Sequence, residues 1–224
     1  MKKILVFDYG GTIVTDESDE VLHKKFYEKF IEMFSIPVST EEMFLFLRNE
    51  INEILKTSHE RWENLSTQYA KAVKKFLETK EIQARDHHLK TFRELYLDFH
   101  ERYTEPFPYA VDSLIKFKSM GFRLAIISNI DNEIIEPVLR RLGILGIFDV
   151  IVTSEEMGFG KPNPEIFKEA LKRLNVKPDE VIFIGDSLIN DVEGARRMGL
   201  DVVHFGVECK DWKELYEVLI DRGI

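Results

Sequence analysis

The chain has 224 residues, is 44% hydrophobic and carries a formal net charge of −9. That length suits one large domain or a domain with a sizeable insertion, and the apolar content excludes a disordered chain. The acidic balance argues against nucleic acid or an anionic membrane surface as the main partner, while a small anionic substrate met by a local cation stays open.

The first element is read from "ILVFDYGGTIVTD" (4–16), where four apolar residues run into Asp8 and then Gly-Gly-Thr. This is the pattern of a nucleophile displayed at the end of a buried strand. Two residues on, where a second acidic group would be useful, stands Gly10. The apolar run behind the two opening lysines is too short for a signal peptide, and no stretch approaches a membrane span. Cys209 is the only cysteine. It therefore forms no internal disulfide and is read as a small, partly buried side chain, and the expected location is the reducing cytoplasm.

Residues 15–104 show no convincing strand. "VLHKKFYEKFIEMF", "STEEMFLFLRNEINEILK" and "HHLKTFRELYLDFHERY" carry large apolar groups three or four apart with charges between, the spacing of amphipathic helices. Ser39 or Thr40 opens the second of these in a capping-box pattern. The stripe Phe26, Phe30, Phe34 reads as helix-packing core. The segment is too long for a connection within a compact sheet and is expected to be an inserted, lid-like unit.

From residue 105 onward the texture changes. "RLAIIS" (123–128), "FDVIVT" (148–153), "EVIFIG" (180–185) and "DVVHF" (201–205) are short and rich in β-branched residues, as expected of parallel strands covered on both faces. Asn163 is placed to cap a helix beginning at Pro164, with Ile166, Phe167, Ala170, Leu171 and Leu174 on one face. Gly121, Gly143 and Gly199 each follow a helical run and are expected to end it in the left-handed region. Strand and helix alternating in this way predict an α/β fold with a doubly wound parallel sheet.

In such sheets ligands bind outside the carboxyl ends of the strands. The predicted strands end at Asp8, at Ser128 followed by Asn129, and at Gly185-Asp186, so these groups are expected to converge. Lys161 lies in the tight loop "GFGKPNP" just before a helix, where lysine and helix amino terminus together would hold an anion.

Four motifs in order now resemble the haloacid dehalogenase (HAD) superfamily: "FDYGGT", "IISN", "GKPNPEIF" and "IGDSLINDVEGA". The resemblance spans nearly the whole chain and implies a Rossmann-like core of residues 1–14 and 105–224, with an α-helical cap of residues 15–104. It further implies that Asp8 is a nucleophile forming an aspartyl-phosphate, and that Ser128 and Lys161 bind phosphoryl oxygens with Asn129 close by. Thr12 would brace the first loop beside the phosphate site. Mg²⁺ would be held by Asp8, the Gly10 carbonyl and Asp186, supported by Asp191. The implied activity is a magnesium-dependent phosphatase of small phosphorylated metabolites.

Most phosphatases of the superfamily have aspartate at the Gly10 position, acting as general acid and base. Without it, turnover is expected to be slow on alkyl phosphates and better on activated esters. Three other readings stay open, one of them a phosphonatase relying on a cap lysine as Schiff base, although none of the several cap lysines stands out by sequence. A 2-haloacid dehalogenase also lacks the second aspartate but needs no metal and generally lacks the acid corresponding to Asp186. A scaffold that only binds phosphate or a partner would explain Gly10 but not the retention of Asp8, Lys161 and Asp186. Arg48, Arg61, His87 and His88 are candidates to face the cleft from the cap, although solvated helix faces explain them equally well. The substrate and the oligomeric state are not set by the sequence.

Overall fold

The computed structural model describes residues 4–223, the side chains of 16–19 excepted, so the two opening lysines lie outside the described residues. The first apolar run forms β1 (Ile4–Phe7), buried throughout. Four helices follow before the next strand: α1 (Asp16–Phe34), α2 (Thr40–Leu55), α3 (Leu65–Thr79) and α4 (Asp86–Tyr103). Next come α5 (Ala110–Ser119), β2 (Arg123–Ser128), α6 (Asn132–Arg141) and β3 (Val150–Thr153). The chain continues through a short α7 (Ser154–Met157), α8 (Pro164–Leu174) and β4 (Val181–Gly185). After a π-type turn over Leu188–Glu193 it ends with a one-turn α9 (Gly194–Arg197), β5 (Asp201–His204) and α10 (Trp212–Asp221).

The strands lie in the order β3-β2-β1-β4-β5 and pair in parallel throughout. Phe7 pairs with Ile126 on one side and Ile184 on the other, so the central strands end level. The chain winds outward from β1 to β3 and then returns to place β4 on the other side of β1. The crevice between β1 and β4 is therefore the point where strand order reverses.

Alternation along the strands assigns each residue to a face. Leu5, Phe7, Leu124, Ile126, Ile182 and Ile184 belong to one buried cluster, which continues without a break into Phe26, Phe30 and Phe92 of the helical segment. Ile4, Val6, Ala125, Ile127, Val181 and Phe183 belong to a second cluster, closed by the apolar face of α8. Asn163 caps α8 by accepting from the Glu165 amide at 3.1 Å. Ser39 caps α2 in the same way, from the Glu42 amide at 3.2 Å.

β3 is shorter than its apolar run suggests. The Asp149 carboxylate accepts the Leu124 amide at 3.0 Å while its own amide reaches the Leu124 carbonyl, so a side-chain contact across to β2 stands where the ladder would continue. In the helical segment α1 packs on α2 and α4, α3 packs on α2 and α4, and α4 lies against α6. Phe26 and Phe30 are fully buried. Among the described residues no helix is long and apolar enough to cross a membrane.

Candidate active site

Asp8 continues the β1 ladder by one bond, its amide donating to the Ile184 carbonyl at 2.8 Å, and then leaves the sheet. The Lys161 ammonium meets it there. Lys161 is buried and sets Nζ 2.7 Å from Asp8 Oδ1 and 2.5 Å from Asp191 Oδ1. Carboxylate oxygens of Asp8, Asp186 and Asp191 lie within 4.8 Å of one another. Three of the four predicted groups thus come from strand ends or the turn after β4, and the lysine comes from the loop between α7 and α8.

The charges are coupled. Burial pulls the Lys161 ammonium down, but the Asp191 and Asp8 carboxylates outweigh it and hold the group above the ordinary lysine range. Burial pushes the Asp191 carboxyl up, and the Asp8 charge adds to this against the attraction of Lys161. The Lys161 ammonium pairs with Asp8 and Asp191, and Asp186 brings a third carboxylate to the cluster. The donors are hard oxygens gathered within reach of one ion, so the residues present fit magnesium.

Close approach dictates the glycines beside these acids. A Cβ on Gly11, whose φ is +67°, would come within 2.5 Å of Asp186 Oδ2. One on Gly185 would lie 2.6 Å from the Cβ and Cγ of Asp191. Gly10 is different, because a Cβ there would meet nothing within 4 Å. No backbone or packing demand accounts for glycine at that position.

The predicted phosphate-side residues divide. Ser128 is buried at the end of β2 and lines the same cavity as Asp8 and Lys161. Asn129 also lines it, but both ends of its amide are engaged: Oδ1 accepts the Lys161 amide at 2.6 Å and Nδ2 donates to the Lys161 carbonyl at 2.9 Å. It therefore clamps the lysine loop. The Thr12 hydroxyl donates to Asp186 Oδ1 at 3.3 Å, and its carbonyl accepts the Trp212 indole N–H at 2.9 Å, which fixes the first loop against α10.

Above these groups lies a cavity of about 340 Å³, at the small end of the range for ligand sites. Residues 2–199 match the family model of haloacid dehalogenase-like hydrolases. The chain belongs to the haloacid dehalogenase-like hydrolase family. Over 91% of its length it is 32% identical to a glyceraldehyde 3-phosphate phosphatase of Methanothermobacter thermautotrophicus, covering 85% of that relative. A glyceraldehyde 3-phosphate phosphatase of Methanopyrus kandleri is 42% identical over 48% of this chain, and a phosphoglycolate phosphatase of Aquifex aeolicus is 34% identical over 51%. These two matches span about half of each relative's length, 46% and 54%. The fold resembles the crystal structure of the HAD-hydrolase YfnB of Bacillus subtilis, described as bound to magnesium. Its TM-score is 0.80 at 23% identity, covering 98% of this chain and 99% of that one.

The helical segment of this HAD-like hydrolase supplies the cavity residues that the sequence reading missed. His23 from α1, Tyr69 from α3, and Tyr96 and His100 from α4 line the cavity together with Ile51 and Leu55 of α2. The rings form one cluster: His23 lies 5.2 Å from both Tyr69 and His100, Tyr69 lies 4.8 Å from Tyr96, and Tyr96 lies 4.4 Å from His100. On an amphipathic helix a ring facing a cavity has the same spacing as a ring facing the core.

The cationic candidates lie elsewhere. Arg48 stacks over Phe44 at 5.2 Å and lines an adjoining cavity of about 440 Å³ that shares His23, Ile51, Leu55 and Tyr69 with the first. Arg61 pairs with Glu63 at 3.2 Å. His87 and His88 pack on each other and on Phe34.

A seam ties the helical segment to the lysine loop. The Trp62 indole N–H donates to Asp131 Oδ1 at 2.7 Å, and the Leu65 amide donates to Oδ2 at 2.5 Å. The Trp62 amide reaches the Gly158 carbonyl at 2.7 Å, and the Gly160 amide reaches the Ser58 carbonyl at 2.8 Å. Burial lifts the Asp131 carboxyl to about 6, against the opposing pull of the indole and the Leu65 amide.

Proposed function

We propose that the chain is a magnesium-dependent phosphatase of small phosphorylated metabolites, acting through an aspartyl-phosphate on Asp8. The observation that carries this reading is the Lys161 ammonium set between Asp8 and Asp191, with Asp186 in the same cluster. The names of the relatives, glyceraldehyde 3-phosphate phosphatase and phosphoglycolate phosphatase, support the same class of substrate. Residues 1–14 and 105–224 serve as the catalytic core and residues 15–104 as its cap.

Asp8, the Gly10 carbonyl and Asp186 would hold the metal, with Asp191 in support. Once bound, the ion neutralises charge on the phosphoryl group. Lys161 and Ser128 bind the phosphoryl oxygens and lower the repulsion between a carboxylate nucleophile and a phosphate dianion. The Asp8 oxygen bonds to phosphorus as the bond from phosphorus to the organic oxygen breaks. Water then attacks phosphorus, releasing inorganic phosphate and restoring the Asp8 carboxylate. Asn129 keeps Lys161 in place, and Thr12 keeps Asp186 in place. Gly10 brings no proton to the departing oxygen, so esters with good leaving groups turn over fastest.

Asp186 also favours phosphoryl chemistry over attack on carbon. Metal-independent chloride release from 2-chloropropionate would reverse that preference. The direct test is p-nitrophenyl phosphate hydrolysis with Mg²⁺, with EDTA, and in Asp8→Asn. EDTA is expected to abolish activity, and Asp8→Asn to lower it by at least about 10⁴-fold. Activity that survives either change overturns the reading.

A further inference from the structure

Among the described residues, the charged groups lining the cavity over Asp8 are Asp8, Asp191 and Lys161, all from the sheet side. Lys161 is already engaged by both carboxylates. Among the described residues the helical segment adds rings, aliphatic side chains and two threonines, Thr15 and Thr104, to the wall, and no arginine or lysine. Three of its guanidiniums are ion-paired, Arg93 with Glu133, Arg102 with Asp98 and Arg61 with Glu63, and Arg48 stacks on Phe44 in the adjoining cavity and does not line this one. A phosphoester seated with its phosphoryl group at Asp8 would place its organic part in the cavity that His23, Tyr69, Tyr96 and His100 wall on the helical side.

A second anion on that organic part would be desolvated against a helical wall that, among the described residues, holds no arginine or lysine, at a large free-energy cost. A hydroxyl or carbonyl group would meet imidazole and phenol edges that can exchange hydrogen bonds with it. We propose that the ring cluster of His23, Tyr69, Tyr96 and His100 makes the enzyme selective for monophosphates whose leaving group bears no second negative charge. Small polyol and aldehyde phosphates are accepted, and phosphorylated carboxylic acids are rejected. The inference rests on the phosphatase reading and adds the selectivity of its site.

Glycerol 3-phosphate, glyceraldehyde 3-phosphate and 3-phosphoglycerate form a matched series, differing only in whether the terminal carbon is alcohol, aldehyde or carboxylate. Each is titrated as a competitor of p-nitrophenyl phosphate hydrolysis at pH 8, above the ordinary imidazole range. Competition detects binding even where turnover of an alkyl ester is slow. The two uncharged compounds are expected to inhibit at least tenfold more tightly than 3-phosphoglycerate. A smaller ratio, or no competition by any of the three, overturns the selectivity while the p-nitrophenyl phosphate rate still supports a phosphatase. Absence of p-nitrophenyl phosphate hydrolysis overturns both.

Two variants locate the effect. Leu55→Arg adds a cation to the wall and is expected to shrink the ratio at least tenfold, whereas Leu55→Met leaves it unchanged. Arg48→Ala, in the adjoining cavity that shares His23 and Tyr69 with this one, is also expected to leave it unchanged, and a shift there would overturn the premise that no cation reaches the ring cluster. Should Leu55→Arg fail to fold, the wild-type ratio still decides.

Discussion

The two walls of the cavity are built on opposite principles. The sheet side concentrates three carboxylates and one ammonium within a few ångströms, held by level strand ends and by glycines that admit no side chain. The helical side presents rings and aliphatic groups on helices that also build the hydrophobic core. Charge on one wall suits a reaction whose difficulty is like-charge repulsion. The lack of arginine or lysine on the other, among the described residues, suits sorting by what the substrate lacks. Reaction and selection can then vary independently, because different chain segments carry them.

The largest test of that contrast removes the ammonium. Lys161→Met leaves Asp8 and Asp191 buried without their cation, and breaking a buried ion pair costs about 3–5 kcal/mol. Urea unfolding in EDTA is expected to show a loss of that order, and kcat for p-nitrophenyl phosphate with Mg²⁺ should fall by about 10²–10³. The near-UV circular dichroism of the ring cluster should stay unchanged. A stability loss below about 1 kcal/mol, which is within the range of ordinary surface pairs, would mean that the sheet side is not held by this charge balance.

Adding a carboxyl sharpens the contrast from the other direction. A side chain at position 10 has open space before it, so Gly10→Asp is expected to leave unfolding within about 0.5 kcal/mol of wild type. General acid help is worth about 10²–10⁴, and the rate on glycerol 3-phosphate should rise by about 10²-fold. p-Nitrophenyl phosphate should gain little, because its phenolate departs without a proton. No gain on the alkyl ester, with the fold intact, would sever the link between Gly10 and leaving-group preference.

These two walls differed as much in legibility as in chemistry. Asp8, Ser128 and Asp186 were readable because a parallel sheet sends every strand end to one edge, and Lys161 because a tight loop precedes a capped helix. The contact of Asp149 with Leu124 of β2 shortened β3 without changing that geometry. The helical side offered no such rule. His23, Tyr69, Tyr96 and His100 come from three helices, and nothing local separates a cavity ring from a core ring such as Phe30. α3 was part of the expected helical segment, but Ala72 and Val73 stand in its stripe where α1 has rings, which blurs its outline. The clamp of Asn129 on Lys161 and the pairing of Trp62 with Asp131 join residues far apart in the chain, and only tertiary structure reveals them.

The seam between the two walls should respond to pH. Asp131 is fully buried, accepts from Trp62 and Leu65, and has Glu133 and Glu155 as anionic neighbours. Arg93, from the facing helix, is engaged by Glu133. With its carboxyl lifted from 3.8 to about 6, the folded state binds a proton that the unfolded chain has already released between those values. The group's contribution to stability is therefore complete below about pH 4 and is lost as pH rises through 6. A shift of this size corresponds to about 2–3 kcal/mol. Other acids titrate in the same window, so the informative quantity is the difference between wild type and Asp131→Asn, which cannot ionise there. In urea titrations from pH 4 to 7.5, wild type is expected to lose stability relative to the variant by roughly that amount. A flat difference would mean that the Trp62 and Leu65 donors compensate the buried charge fully. In that case the hydrogen bonds alone would hold the seam, with no titrating group involved.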